Sequence, residues 1–152
     1  MSVLAIDPGT TAGFYVVNKD KHLVFTLKLK QKEIGSRLNT FLEHLDVINN
    51  RHWVNHIVFE DPFVSSYRSA RFQYAMTGLI YIAAYRQKAT ITSLHPSKIK
   101  KLATGKGNAK KDEMIAAAKA AVPDNIYIDN EHEADAYWVY RTWLHNQETA
   151  NA

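Results

Sequence analysis

Two acidic residues stand directly after short apolar runs of the sequence. Asp7 follows Val3–Ile6 and opens an Asp-Pro-Gly turn, and Glu60 follows His56–Phe59. Each run predicts a buried strand, which puts both carboxylates at carboxyl ends of strands, where open α/β sheets bind ligands. Carboxylates that meet there repel one another unless a cation joins them, and clustered oxygen ligands suit Mg²⁺ or Mn²⁺. Taken singly, Asp7 has the alternative role of a turn residue, and Glu60 that of an exposed strand end.

A third acid lies near the C-terminus with a histidine beside it. His132 and Asp135 are three residues apart, so they share one face of a predicted helix. Asp135 stands among small and aromatic residues, where a carboxylate needs a partner. The alternatives are an exposed polar face for Asp135 and a structural role for His132. Glu131 and Glu133 fall in the first helical turn, which favours acids through the helix dipole alone, so we interpret both as structural.

The positive charge is concentrated in the middle of the chain. The formal net charge is only +4, but no Asp or Glu occurs from Pro62 to Lys111, so all 15 acids lie outside that window. Its basic residues are Arg68, Arg71, Arg86, Lys88, Lys98, Lys100, Lys101, Lys106, Lys110 and Lys111. This asymmetry predicts a surface that binds a polyanion, the alternative being a solvated basic face with no partner. Aromatic residues and glycines in the same window favour nucleic acid.

The elements that must position these residues follow from the hydrophobic pattern. It predicts strands over 3–6, 12–17, 23–29, 56–59 and 89–94, and helices over 32–50, 67–87 and 109–121 and from residue 131 onward. Asn108 and Asn130 are the predicted caps of the last two helices, with Glu133 completing a capping box. Three strands with short turns form an antiparallel meander, and later strands return in parallel through helices. The predicted fold is therefore α/β, a mixed five-stranded sheet flanked by helices, in one domain over residues 1–152 with a loose tail.

Composition excludes several classes of protein. The chain has no Cys, which excludes disulfides, a zinc–thiolate site and a cysteine nucleophile. The N-terminus does not resemble a secretory signal. The longest uncharged apolar-rich stretch, between Arg71 and Arg86, is shorter than the roughly 20 residues that a membrane helix needs. We therefore expect a protein without membrane association that works in the cytoplasm, or in the host cytoplasm if the source is a virus.

Several segments, in order, resemble the RuvC-type Holliday junction resolvases. They are Ala5-Ile6-Asp7-Pro8-Gly9-Thr10, the glutamate that ends the fourth strand, Pro96-Ser97-Lys98-Ile99-Lys100, Thr104-Gly105-Lys106-Gly107-Asn108-Ala109-Lys110-Lys111 and His132-Glu133-Ala134-Asp135-Ala136. The resemblance covers residues 3 to about 140. It implies a ribonuclease H-like fold and a homodimer that cuts branched DNA during recombination, replication or repair. It also implies two Mg²⁺ ions per site, with Mn²⁺ able to substitute, and paired nicks with 5′-phosphate ends.

The resemblance also implies roles for single residues. Asp7, Glu60 and Asp135 match catalytic, metal-binding acids. His132 stands where the family often has a further Asp and some members have His, so it is expected to be a catalytic residue that binds the metal or, alternatively, orients or deprotonates the attacking water. Lys100 and Lys111 match basic positions near the scissile phosphate, and Phe63 matches an aromatic inserted at the junction crossover. The long helix over 67–87 corresponds to the dimer-forming helix.

General chemistry supports further contacts. Lys111 is suited to offset charge that develops on the phosphoryl group. Phosphate contacts are expected from basic residues of the central window, and Phe63 is suited to stack on an unpaired base unless it is a core aromatic. The predicted DNA-binding set is Phe63, Arg68, Arg71, Lys98, Lys100, Lys101, Lys106 and Lys110.

Three other functions fit parts of this pattern. The first is a broader nuclease that cuts three-way, flap or Y structures or RNA–DNA hybrids. The second is a DNA-binding module without catalytic activity, which the retained acids disfavour. The third is an ATPase, because Asp-x-Gly-Thr after a first strand also resembles the phosphate loop of actin-like proteins. Those proteins enclose the nucleotide between two lobes, and this chain has residues for only one, so no nucleotide cofactor is expected.

Overall fold

The computed structural model describes residues 1–63 and 66–152, and they form a five-stranded sheet with helices on both faces. The strands are β1 (Ser2–Asp7), β2 (Thr11–Asn18), β3 (Lys21–Lys28), β4 (His56–Glu60) and β5 (Thr90–Leu94). The helices are α1 (Ile34–His52), α2 (Tyr67–Gln87), α3 (Pro96–Thr104), α4 (Lys111–Ala121) and α5 (Glu131–Ala150).

The strand order is β3-β2-β1-β4-β5. The first three strands pair antiparallel, whereas β4 pairs parallel to β1 and β5 pairs parallel to β4. The predicted mixed sheet with an N-terminal meander is therefore confirmed.

The two faces of the sheet bury separate cores. Side chains alternate along a strand, so Val3 and Ala5 of β1 face one core while Leu4 and Ile6 face the other. Helices α3, α4 and α5 cover the first face, and α1 and α2 cover the second. Asp7 is the next residue of β1 on the side that α5 covers. Because side chains alternate along a strand, its carboxylate points toward α5.

Helix α3 is absent from the helices predicted above, which makes that prediction wrong for residues 96–104. Its lysines obscure the short apolar stripe, but its end signals are present in the sequence. Pro96 occupies the first turn, the ring of His95 accepts the Ser97 N–H, and Gly105 ends the helix in the left-handed region with φ of 80°. The helix places the basic segment on a rigid element beside α5.

The two predicted asparagine caps have different outcomes. Asn130 does cap α5, because its side chain accepts the Glu133 N–H at 3.0 Å. Asn108 does not cap α4. The helix begins at Lys111, and the Glu113 carboxylate accepts the Lys110 N–H at 3.1 Å. Glu133 also fails to complete the predicted capping box, since its carboxylate accepts the Asp129 N–H at 2.7 Å instead.

Helix α5 is the longest element on its face of the sheet, and it continues to Ala150. Within the described part of the chain, no helix combines the length and apolar character needed to cross a bilayer.

Candidate active site

Asp7 and Glu60 end neighbouring parallel strands. Ile6 pairs with Phe59 in the register of β1 and β4, so the two acids that follow close these strands side by side. Both continue the alternation onto the face covered by α5, since Ala5 and Val58 belong to the core on that side. The prediction that these carboxylates share one sheet edge is confirmed.

The start of α5 brings His132 and Asp135 to the same place. The Nδ1 atom of His132 lies 3.2 Å from Oδ2 of Asp7, and the two side chains keep only 28% and 15% of their exposure. Asp135, one helical turn further on, is close enough to Asp7 and Glu60 for their charges to repel. Side chains from β1, β4 and α5 therefore converge at this place.

Burial and mutual repulsion make these carboxyl groups hard to ionise. Burial, reinforced by the charges of Asp7 and Asp135, raises the pKa of Glu60 to about 8. Burial and the charge of Asp7 raise the pKa of Asp135 to about 7, and burial also raises that of Asp7. The hydrogen bond to Asp7 raises the pKa of His132. Three acids held in this way favour an added cation, because a cation removes both the repulsion and the desolvation cost.

Gly13 is the feature that lets α5 approach so closely. It lies on β2 between Asp7 of β1 and Thr26 of β3 in the same cross-strand row. A Cβ atom on Gly13 would fall 1.8 Å from the backbone oxygen of His132, so no other residue fits without moving the helix. The sequence signal was a glycine inside a strand pattern, which often marks a close backbone approach.

Glu133 anchors the first turn of α5 on the other side of Gly13. Its carboxylate accepts the hydroxyl of Thr26 at 3.2 Å as well as the Asp129 N–H, and Asn130 Nδ2 donates to the same hydroxyl at 2.9 Å. The side chain of Glu133 is nearly fully buried. This network and the His132–Asp7 hydrogen bond hold the helix from both sides, so Glu133 positions the site.

Glu131 joins two of the predicted site residues. Its carboxylate receives Lys111 Nζ at 2.9 Å and lies 3.4 Å from Nε2 of His132. The salt bridge raises the pKa of Lys111, whose side chain is otherwise exposed at the start of α4. We interpreted Glu131 from the sequence as a helix-dipole residue, and the structure adds these contacts to that role.

A cleft of about 780 Å³ opens over the acids. Asp7, His132, Asp135 and Lys111 line it on the sheet side, and α1 and α2 line it opposite. The residues from these two helices are Ile34, Arg37, Ser66, Arg68, Ser69, Phe72 and Gln73. Arg68 is therefore placed beside the site, whereas Arg37 was not among the predicted residues because it lies outside the acid-free window.

The other predicted DNA-binding residues do not line this cleft. Lys100 is half-buried, and its charge lowers the pKa values of Glu60 and Asp135. Arg71 is exposed, with its guanidinium 5.9 Å from the ring of Tyr67. The remaining lysines are exposed on α3 and the segment that follows it, and one of them forms a 3.6 Å ion pair with Glu113; they are Lys98, Lys101, Lys106 and Lys110.

Phe63 stands at the edge of the site. Its side chain is 68% exposed, so the alternative of a core aromatic is wrong. A small depression of about 90 Å³ joins it to Asp7, Glu60 and Gln73. The buried Oε1 atom of Gln73 has no hydrogen-bond partner among residues 1–63 and 66–152, and the sequence offered no signal for this residue.

The exposed face of α2 is aromatic. Tyr74, Tyr81, Ile82 and Tyr85 are each at least 45% exposed and recur at helical spacing. Met76, Ile80 and Ala83 of the same helix lie in the core instead.

The donor set fits a divalent metal ion of the Mg²⁺ type. Carboxylate oxygens are hard ligands, and Mg²⁺ is held by a few of them while it keeps several waters. Among residues 1–63 and 66–152, no three His, Asp or Glu side chains are arranged so that they could hold a metal ion as they lie. The observation that supports the fit is the raised pKa of the three desolvated acids, whose mutual repulsion a cation would relieve.

A sheet of this order, with acids ending the neighbouring parallel strands β1 and β4 and a further acid on the last helix, defines a ribonuclease H-like nuclease. The family model for crossover junction endodeoxyribonuclease RuvC matches residues 3–139. The chain therefore belongs to the RuvC family of structure-specific DNA endonucleases that resolve Holliday junctions.

Individual relatives agree with this assignment. The chain is 33% identical to the Rickettsia felis RuvC crossover junction endodeoxyribonuclease over 90% of this chain and 92% of that protein. It is 28% identical to the Chlamydia trachomatis serovar L2 protein of the same name, over 89% and 86%. The fold matches Thermus thermophilus RuvC in complex with a Holliday junction substrate with a TM-score of 0.82 at 21% identity, over 99% of this chain and 96% of that one.

Proposed function

We propose that this chain resolves four-way DNA junctions as a homodimer, by Mg²⁺-dependent paired nicks that leave 5′-phosphate ends. The observation that carries the proposal is the convergence of Asp7, Glu60 and Asp135, desolvated and mutually repelling, beside a cleft that Asp7, Asp135, Arg68 and Lys111 line. Such a site suits a cation and a phosphodiester together. The proposed substrate places the protein in the cytoplasm.

Each acid has a role that follows from its place. Asp7, Glu60 and Asp135 would hold the metal, with Asp7 central because it contacts His132 and repels both other acids. When bound, Mg²⁺ supplies an activated water and stabilises the oxygen that leaves the phosphate; family resemblance gives two such ions. Mn²⁺ would serve the same ligands.

His132 and Lys111 complete the proposed chemistry. His132 orients the Asp7 carboxylate through its Nδ1 atom, and its raised pKa suits the uptake of a proton from the attacking water. Lys111 is held by Glu131 beside the acids and would offset charge on the phosphoryl oxygens. Both side chains are therefore held in place before the substrate binds.

DNA binding would use the basic residues around the cleft. Arg68, Arg71, Lys98, Lys100, Lys101, Lys106 and Lys110 are the proposed phosphate contacts, which makes affinity strongly dependent on salt. Phe63, exposed beside the acids, would stack on a base at the open centre of the junction.

The homodimer would form through the aromatic face of α2. A two-fold dimer presents two sites to two strands of a junction. Ile82→Glu places a charge within this face and should give a monomer in sedimentation, whereas Val47→Glu on the exposed side of α1 should not. A dimer that survives Ile82→Glu would exclude this face.

The test of function is cleavage of synthetic junctions. We expect the wild-type chain to nick four-way junctions in Mg²⁺ at two symmetric positions, and not in EDTA. Asp7→Asn should bind the junction without cutting it, and Asp20→Asn, an exposed acid in the β2–β3 turn, should cut normally. Equal cutting by both variants would remove Asp7 from the mechanism. Preferential cutting of three-way, flap, Y or hybrid substrates would instead establish the broader nuclease.

A further inference from the structure

We propose that Arg37 of α1 is a phosphate anchor that holds the cleaved DNA strand from the side of the cleft opposite Lys111. This inference rests on the proposed function, because it names how that substrate is held. Arg37 lines the same cleft as Asp7, His132 and Asp135, and Arg68 lines it from α2.

The guanidinium of Arg37 is held in place by its surroundings. Its Nε atom donates to the backbone oxygen of Gln31, and its Cζ atom lies 6.0 Å from the ring centroid of Phe72. A cation over an aromatic face is attracted to it, and fixing the Nε end removes much of the freedom of the side chain. The group is therefore ordered before a ligand binds.

The remaining donors of Arg37 are available to an anion. In the described part of the chain, no carboxylate pairs with Arg37, and neither terminal guanidinium nitrogen has a hydrogen-bond acceptor. Lys111 differs, since Glu131 already occupies its ammonium group. A planar guanidinium with two free nitrogens matches the two oxygens of a phosphate, and such bidentate pairs are among the strongest hydrogen bonds in proteins.

The segment before Arg37 is also basic. Lys28, Lys30 and Lys32 are exposed between the end of β3 and the start of α1, where the only acid is Glu33. Lys28 also lines a second cavity, of about 560 Å³, that shares Thr11, Glu131 and His132 with the catalytic cleft and is lined by Asp129 as well. A strand that lies across the acids would therefore meet basic residues on this side as well as on α3.

Arg68 is the second arginine that lines the cleft. Arg37 and Arg68 face the same space from α1 and α2, so a phosphate backbone between them is neutralised from two sides. Neutralising neighbouring phosphates fixes the register of the strand, which places one phosphodiester over the acids. Arg37 thus acts as a binding residue that sets the position of the cut.

The test measures junction binding without cleavage, in EDTA, over a range of salt concentrations. Arg37→Gln should weaken binding about tenfold and reduce the slope of log affinity against log salt by about 0.9, the value of one phosphate contact. Arg37→Lys should keep the slope but bind more weakly than wild type, because the charge stays and the bidentate geometry is lost. Arg51→Gln, at the exposed far end of the same helix, is the matched control and should change neither quantity.

A second measurement locates the contact. Single methylphosphonates, which carry no charge, are placed one at a time along the cut strand of the junction. At one position the neutral linkage should weaken binding by wild type but not by Arg37→Gln. Identical slopes for the Arg37→Gln and Arg51→Gln variants, or no such position, would overturn the inference, whereas failure of the wild-type chain to cut any junction would refute the proposed function instead.

Discussion

The close approach of α5 to Gly13 can be tested with one added methyl group, because a side chain at residue 13 would push the helix away from the acids on the sheet. In Gly13→Ala the new Cβ atom meets the backbone oxygen of His132 at 1.8 Å, whereas ordinary contact begins at 3.4 Å. The first turn of α5 must therefore move outward by about 1.6 Å, the difference between these distances. A backbone atom cannot rotate away as the end of a side chain can.

The displacement separates groups that must act together. His132 and Asp135 move with the helix, while Asp7 and Glu60 stay on the sheet, so the 3.2 Å hydrogen bond from His132 to Asp7 is broken. Misplacement of reacting groups by about 1 Å costs about 100-fold in rate, so we expect at least that loss in cleavage. Overpacking should also cost about 1–3 kcal/mol of the free energy of unfolding.

The assay is single-turnover cleavage of a labelled four-way junction in Mg²⁺, together with thermal unfolding and junction binding in EDTA. We expect binding close to that of wild type, since none of the proposed phosphate contacts is removed. Gly35→Ala is the matched control, because a Cβ there has no neighbour within 4 Å. If Gly13→Ala is folded and cuts as fast as Gly35→Ala, the proposed dependence of the site on this close approach is refuted.

Three further predictions address the network, the acids and the exposed aromatic. Thr26→Val removes the hydroxyl that donates to Glu133, and should lower stability by about 1 kcal/mol and slow cleavage, with binding retained as measured by gel shift. For the acids, the raised pKa of Glu60, from 4.5 to about 8, means that the folded state binds its proton more tightly than the unfolded state. The metal-free protein should therefore lose stability in thermal melts as pH rises through this range, and added Mg²⁺ or Glu60→Gln should reduce that loss. Phe63→Ala should weaken binding to four-way junctions by about 1–3 kcal/mol relative to linear duplex, while Tyr127→Ala, another exposed aromatic, should not.

Much of the site could be predicted because its acids end elements with clear patterns. Asp7 and Glu60 each follow a run of buried residues, and parallel pairing of those strands was enough to place them together. Asn130 indicated where α5 begins, and the three-residue spacing then placed His132 and Asp135 on one face of that helix. These inferences use only the periods of strands and helices.

The remaining features depend on distances between elements, which periodicity does not contain. The sequence shows a glycine at residue 13, but only the packed structure shows the backbone of His132 against it. Arg37 gave no signal because it stands in a segment with ordinary composition, and its importance comes from the cleft that it shares with the acids. Helix α3 was missed because its lysines mask a stripe of only two fully buried residues, Pro96 and Ile99.

The placement of His132 and Asp135 on α5 has a consequence for how the protein is made. The ribosome synthesises β1 and β4, with Asp7 and Glu60, long before it reaches residue 131. A nascent or prematurely terminated chain therefore carries two of the three acids and none of the helix that supplies the third. A truncated product that ends before α5 should therefore lack nicking activity.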